Sequence, residues 1–200
     1  MTSEPALKTS PLHARLARLP VANIGDAMNR LGVLDPSIKP VWQGARLAGP
    51  AYTVEVSGGD NAGIYEALAH IQPGAVLVVN GHSVTNRALI GELISERLRQ
   101  LRVAGVVIDG AVRDAHDIEQ MRFPVFCSAI TPAGPFRNGP FRIDVPVAVG
   151  GVVVSPGDLV VGDDDGVAVI PFAEVPNVLD LAERKNRDEA EIRAAILARA

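Results

Sequence analysis

Three short apolar runs between residues 75 and 130 constrain this chain more than any other feature. They are AVLVVN (75–80), VAGVVID (103–109) and PVFCSAI (124–130). Each is rich in small and β-branched residues, the composition of a strand buried on both faces. Between the first two, Ile90, Ile94, Leu98 and Leu101 recur at helical spacing, while Glu96, Arg97, Arg99 and Gln100 fall largely elsewhere. That periodicity predicts a helix over 84–102. A shorter helix is predicted over 115–122. The stretch 75–130 therefore reads β-α-β-α-β, which implies parallel strands joined by right-handed crossovers.

The flanking segments follow other rules. Residues 12–32 read as two short helices interrupted at Pro20, because proline removes a backbone donor and clashes inside a helix. AYTVEV (51–56) alternates like a strand, SGGDN follows as a loop, and IYEALAHI is a helix ending before Pro73-Gly74. After Pro132 the chain changes character. Residues 141–171 are short strands punctuated by Gly-Gly, Ser-Pro-Gly-Asp and Asp-Gly, the residues of antiparallel hairpins. From about Ala173 to residue 199 a long amphipathic helix is expected, carrying Val178, Leu181, Ile192 and Ile196. The expected class is α/β with a mixed sheet. One domain should span 1–200, with residues 1–10 as a flexible arm and the terminal helix available to pack on a neighbouring subunit.

Composition narrows the function classes. Of 200 residues, 48% are hydrophobic, so a packed core is expected rather than disorder. The net charge of −4 and the lack of a long basic run argue against nucleic-acid or anionic-membrane partners. Cys127 is the only cysteine, which rules out an internal disulfide and fits a reducing compartment. Its setting in PVFCSAI points to a buried core thiol. The start, MTSEPALKTS, lacks the apolar stretch of a signal peptide, and no run approaches ~18 apolar residues. A soluble cytoplasmic protein is expected.

The stretch GVVIDGAVRD (105–114) carries the sharpest chemical question, because Arg113 and Asp114 follow at once on an apolar strand. One reading makes Asp114 the N-cap of the helix after it, with Arg113 a solvated neighbour. The other places both at a ligand site, since such sites in open α/β sheets lie beyond the carboxyl ends of parallel strands. A guanidinium there suits a carboxylate or keto acid, and the aspartate suits a hard divalent cation. Gly91-Glu92-Leu93-Ile94 is a second candidate. Glycine costs a helix interior about 1 kcal/mol relative to alanine, so either the helix begins at Gly91 or the glycine is merely tolerated. In the first case its free N–H groups form an anion site with Glu92 beside it as acid or base. In the second, Glu92 is an ordinary surface residue.

Other features favour structural roles. Asp163-Asp164-Asp165-Gly166 lacks the alternation and downstream glutamate of an EF-hand loop and reads as a hairpin turn. His116 and Asp117 lie near Asp114 without a recognised ligand spacing. His82 follows a strand end and could approach a site, whereas His13 and His70 read as helix-surface residues. No GxGxxG, Walker lysine motif, GxSxG elbow or paired CxxC occurs, so nucleotide cofactors, serine hydrolysis and structural zinc lose support.

Several of these stretches occur together, in order: GGDNAGIYEALAHIQPGAVLVVNG, ALIGELISERLRQLRVAGVVIDGAVRD, FPVFCSAITPAGPF, VPVAVGGVVVSPGDLVVGDDDGVAVIP and a helix ending in EIRAAI. From about residue 20 to 197 the chain resembles the RraA-like family. Its enzymes are 4-hydroxy-4-methyl-2-oxoglutarate aldolases, class II pyruvate aldolases that also decarboxylate oxaloacetate. The resemblance implies a three-layer swivelling β/β/α domain assembled as a homotrimer or a dimer of trimers. The same family contains the regulator of ribonuclease E, which is not an enzyme and lacks the aspartate of the Arg-Asp pair. That regulator, or a same-fold enzyme acting on another small carboxylate, is the alternative.

For the residues, the resemblance implies that Asp114 binds a divalent cation (Mg2+ or Mn2+), with water completing most of its shell. It implies that Arg113 contacts the oxygens of a small keto-acid substrate. Gly91 and the amides of Leu93 and Ile94 would form the seat of the pyruvyl carboxylate. Glu92 stands where the aldolases carry an acid, commonly the shorter aspartate. Glu189 or Glu191 on the terminal helix would reach a neighbour's site. No lysine lies near these motifs to form a Schiff base.

Overall fold

The computed structural model describes residues 11–198; the expected flexible arm (1–10) and residue 199 of the expected terminal helix lie outside them. In chain order the elements are α1 (Pro11–Leu16), α2 (Val21–Ala27), β1 (Lys39–Pro40), β2 (Leu47–Val56), α3 (Ala62–Ala67) and β3 (Val76–Ile90). Then come α4 (Glu92–Gln100), β4 (Gly105–Val112), α5 (Ala115–Gln120), β5 (Val125–Ile130), β6 (Phe141–Ile143), β7 (Val147–Val149) and β8 (Val152–Val154). β9 (Leu159–Asp163), β10 (Gly166–Ile170), a 3-10 turn at Phe172–Glu174 and α6 (Val175–Leu197) complete the chain.

The main sheet runs β1-β5-β4-β3-β2-β9-β10, with β6 also pairing β2. Strands β2 to β5 are parallel, and β1, β6, β9 and β10 join antiparallel, so the sheet is mixed as expected. The central strands bury both faces, because successive side chains point to opposite sides. Leu77, Val79, Val106, Ile108 and Val125 pack with Ile64, Ile94, Leu98 and Ile118 of helices α3 to α5. Val76, Val78, Val107 and Phe126 face the other way. They share a core with Val147, Val149 and Val154 of the β7–β8 hairpin and with Val160, Val167 and Val169 of β9 and β10. Each fully buried aliphatic side chain of this kind contributes about 1.5–3 kcal/mol before entropy is counted. The result is helices on one face of a sheet and a second β layer on the other. Gly150-Gly151 turns β7 into β8 with φ of +52 and +77, a geometry that glycine adopts without strain.

Two sequence expectations about strands are corrected. Residues 84–90 are not helical: they continue β3, and α4 begins only at Glu92. Ala88, Leu89 and Ile90 are at most 2% exposed, and Ala88 and Ile90 pair with Ala111 and Val112. Pairing along β3 is interrupted after Asn80, where His82 and Ser83 both take φ of +55, and then resumes. Ile90 keeps helical spacing with Ile94 across the junction, so periodicity ran straight through a strand end. Strand β4 likewise continues past Asp109-Gly110 to Val112, so Arg113 is the first residue after it.

A third correction concerns His13, expected on a helix surface but only 7% exposed. Helix α1 lies under α6, tied by the Arg15 guanidinium donating to both Glu183 oxygens at 2.8 and 2.6 Å. Leu16, Leu19 and Ile24 pack there with Val175, Val178, Leu179 and Ala182 of α6. Beyond Asn186 the rest of α6 is exposed to the end of the described chain. Among the described residues no helix is long and apolar enough to cross a membrane.

Candidate active site

The sheet register builds the site. Ile90 and Val112 are partners at the ends of the parallel strands β3 and β4. The next residues of each strand, Gly91-Glu92 and Arg113-Asp114, must therefore leave side by side. The Arg113 amide donates to the Ile90 carbonyl at 3.0 Å and locks that juxtaposition.

Asp114 does not cap its own helix. It takes a left-handed backbone (φ 55, ψ 41) and makes no side-chain bond to the α5 amides. Aspartate tolerates that conformation better than most residues. Its Oδ2 instead accepts from the Glu92 amide, the first of α4, at 3.1 Å and lies 3.3 Å from the Arg113 Nε. Among the described residues Oδ1 accepts no hydrogen bond. Both side chains are part-exposed, 40% for Arg113 and 37% for Asp114. The carboxylate is thus crossed over to a neighbouring helix, with one oxygen anchored and one open.

Gly91 makes that crossing possible. Its backbone is extended (φ −150, ψ −159), which any residue can adopt, so the requirement is space. A Cβ there would sit 2.2 Å from the Asp114 Oδ2 and 2.8 Å from the Arg113 Cγ. Of the alternatives the sequence left open, the helix does begin at Gly91. Its first amides lack intrahelical acceptors, and Asp114 takes only that of Glu92. The Leu93 and Ile94 amides remain to bind an anion, aided by the helix dipole. The Glu92 side chain is exposed.

Gly91, Leu93, Ile94 and Arg113 line one cleft with three residues that sequence reasoning missed: Asn61, Tyr65 and Arg137. Asn61 is 1% exposed; its Nδ2 donates to the Leu89 carbonyl at 2.9 Å and its Oδ1 has no partner among the described residues. Asp60 pins the loop that carries Arg137. Burial would raise the Asp60 carboxyl, but the amides of Ala62, Asn138 and Gly139 hold it below the usual carboxylate range. The SGGDN loop ahead of a helix was the available signal for Asn61. Nothing local marks Arg137. The cleft is small, about 30 Å³, and is partly open to solvent.

Other candidates lie elsewhere. His82 sits 3.8 Å from Glu55 in a separate hollow with Arg142, away from the cleft. Asp109 turns aside to accept from the Ser83 hydroxyl (2.8 Å) and the Gly150 amide (3.3 Å). The acidic turn is structural: Asp163 accepts from the Val21 and Asp165 amides and Asp164 from Gly44. Cys127 is buried, and burial pushes its thiol up to about 11, which leaves it inert at neutral pH. No group of three or more potential ligands among His, Cys, Asp and Glu occurs among the described residues. A hard cation held by one carboxylate with water and substrate filling the rest, as magnesium often is, needs no such group. Asp114 with an open Oδ1 fits that mode.

The model of the RraA-like family (Aldolase/RraA) matches residues 21–169. A Halalkalibacterium halodurans protein named "Putative 4-hydroxy-4-methyl-2-oxoglutarate aldolase" is 39% identical over 89% of this chain and 85% of its own. A Burkholderia multivorans protein of the same name is 37% identical over 72% of this chain and 87% of its own. Among solved structures, Streptomyces coelicolor RraAS2, described as an unusual member of the RNase ES inhibitor RraA protein family, is similar. It is 29% identical with a TM-score of 0.84, covering 92% of this chain and 97% of that one. With the fold, the paired strand exits and these matches in agreement, the chain belongs to the RraA-like family.

Proposed function

We propose that the protein is a divalent-metal-dependent carbon–carbon lyase. It releases pyruvate from 4-hydroxy-4-methyl-2-oxoglutarate or a close relative, and decarboxylates oxaloacetate. The observation that carries this reading is the crossed Asp114 carboxylate, open at Oδ1, beside Arg113 and the free α4 amides. The aldolase names of relatives at 37–39% identity support the same chemistry.

The chemistry requires stabilising the enolate left when the bond to the α-keto acid breaks. The Leu93 and Ile94 amides hold the pyruvyl carboxylate at the α4 N-terminus. Asp114 holds Mg2+ or Mn2+, which supplies Lewis acidity at the keto oxygen when bound. Arg113 donates to the same developing oxyanion, where a preorganised donor counts for more than in bulk water. Glu92 orients the water that takes the substrate hydroxyl proton in the aldol cleavage. Decarboxylation needs the same enolate and no such base.

The exposed far half of α6 supports a homotrimer, or a dimer of trimers, in which a neighbour's α6 would cover the site with Glu189 or Glu191. The single reduced-type cysteine suits the cytoplasm. The test is pyruvate release from both substrates with Mg2+, Mn2+ or excess chelator. Activity restored by metal and abolished by chelator is expected; full activity in chelator overturns the proposal. The similarity to RraAS2 favours a second reading, a non-catalytic ribonuclease regulator, which inactivity on every keto acid tested would support.

A further inference from the structure

We infer that Arg137 reads the distal carboxylate of the substrate and so selects keto-diacids over monocarboxylic keto acids. This rests on the keto-acid reading of the cleft and adds a residue to it. Arg137, in the loop after β5, lines the same cleft as Arg113, Leu93 and Ile94.

Its main chain is fixed on both sides. The Phe136 amide donates to the Gly59 carbonyl at 2.9 Å, and the Phe136 carbonyl accepts from the Asn61 amide at 3.0 Å. On the other side, the Asn138 and Gly139 amides both donate to Asp60 at 2.8 Å. Arg87 adds a further tie, donating to the Gly134 carbonyl at 2.9 Å and stacking on Phe136 at 4.0 Å. The cation therefore projects from a braced loop.

The guanidinium rests over the Tyr65 ring at 5.0 Å and has no acidic partner among the described residues. Arg97 approaches the same ring at 5.8 Å, so Tyr65 gathers positive charge here. Arg113 by contrast is already offset by Asp114. A stacked guanidinium keeps its in-plane N–H groups free for bidentate bonds to a carboxylate. The cleft thus has two anion seats. One is the α4 N-terminus with Arg113, for the pyruvyl end. The other is Arg137, for a second carboxylate that pyruvate lacks. Since Arg137 grips the end of the substrate that leaves, it contributes to binding and not to enolate stabilisation.

The experiment uses the full chain with Mg2+ and compares the parent with Arg137→Gln and Arg137→Lys. For oxaloacetate decarboxylation, Arg137→Gln should raise KM about tenfold or more without lowering kcat, because the carboxylate it holds departs as neutral CO2. Inhibition by pyruvate, which has no distal carboxylate, should be unchanged. Arg137→Lys should recover part of the loss. An unchanged KM, or an equal loss of pyruvate binding, overturns the assignment. If the parent turns over no keto acid, calorimetric binding of 2-oxoglutarate and pyruvate separates the two failures. A preference for 2-oxoglutarate that Arg137→Gln abolishes keeps the assignment while the lyase reading falls; equal binding of both acids by the parent ends it.

Discussion

Two aspartate-bearing turns in this molecule look alike in sequence and differ in what their carboxylates do. In the β9–β10 turn Asp163 is consumed by backbone amides, one oxygen serving Val21 and the other Asp165. At the exit of β4, Asp114 satisfies one amide with one oxygen, keeps the other open and stands beside a guanidinium. A carboxylate spent on amides holds the chain together. One that is anchored but incompletely satisfied can take a cation. Bonding separates Asp163 from Asp114.

The largest effect should come from Asp114→Asn. Asparagine keeps the acceptor for the Glu92 amide, so the melting temperature should move little. Loss of the ligand charge should lower pyruvate release by at least about a hundredfold. Near-parental activity would place Asp114 in the same structural class as Asp163. Next in size is Gly91→Ala, whose Cβ would collide with the Asp114 Oδ2. Overpacking of this kind costs about 1–3 kcal/mol, and displacing the carboxylate should cut kcat/KM by tens of fold. Unchanged kinetics would show that the crossing of Asp114 is not required.

The opposite outcome is expected at the other turn. Asp163→Ala removes the acceptor at the start of α2, a loss of about 1 kcal/mol. In a chain of this size that lowers the melting temperature by about 2–4 °C, with pyruvate release unchanged. A fall in activity without a fall in stability would break the comparison from its structural side.

The smallest effect concerns His13, whose burial holds its pKa below the ordinary value. The folded state then binds this proton less readily than the unfolded one. Its contribution to stability is complete above about pH 6.5 and is lost as pH falls from there through the folded-state value. Melting curves between pH 7.5 and 5 should fall less steeply for His13→Gln than for the parent; parallel curves would contradict this.

The parallel core was readable because Val76–Val79 and Val106–Ile108 bury both faces, and such runs admit few other structures. The strand-to-helix junction at Gly91 was harder. Leu89-Ile90 ends a strand and Leu93-Ile94 begins a helix, yet the apolar spacing is continuous across them, leaving the glycine as the only break. The Arg113-Asp114 pair was visible as a strand exit. Its orientation was not, because a left-handed backbone at Asp114 turns the carboxylate toward α4 rather than α5. Asn61 and Tyr65 of the α3 segment, and Arg137 after β5, are far in sequence from Gly91 and Arg113 and meet them only through the register of β2 to β5. His13 was misjudged for a related reason: the helix α6 against which α1 packs lies far downstream in the chain.

The proposed role of Asp114 is to hold the cation beside the pyruvyl seat. Mn2+ binding followed by electron paramagnetic resonance, for the parent and Asp114→Asn with and without pyruvate, tests it without relying on turnover. One Mn2+ per chain is expected in the parent, bound more tightly with pyruvate present, and both effects should be lost in the variant. Equal Mn2+ binding by parent and variant would contradict it.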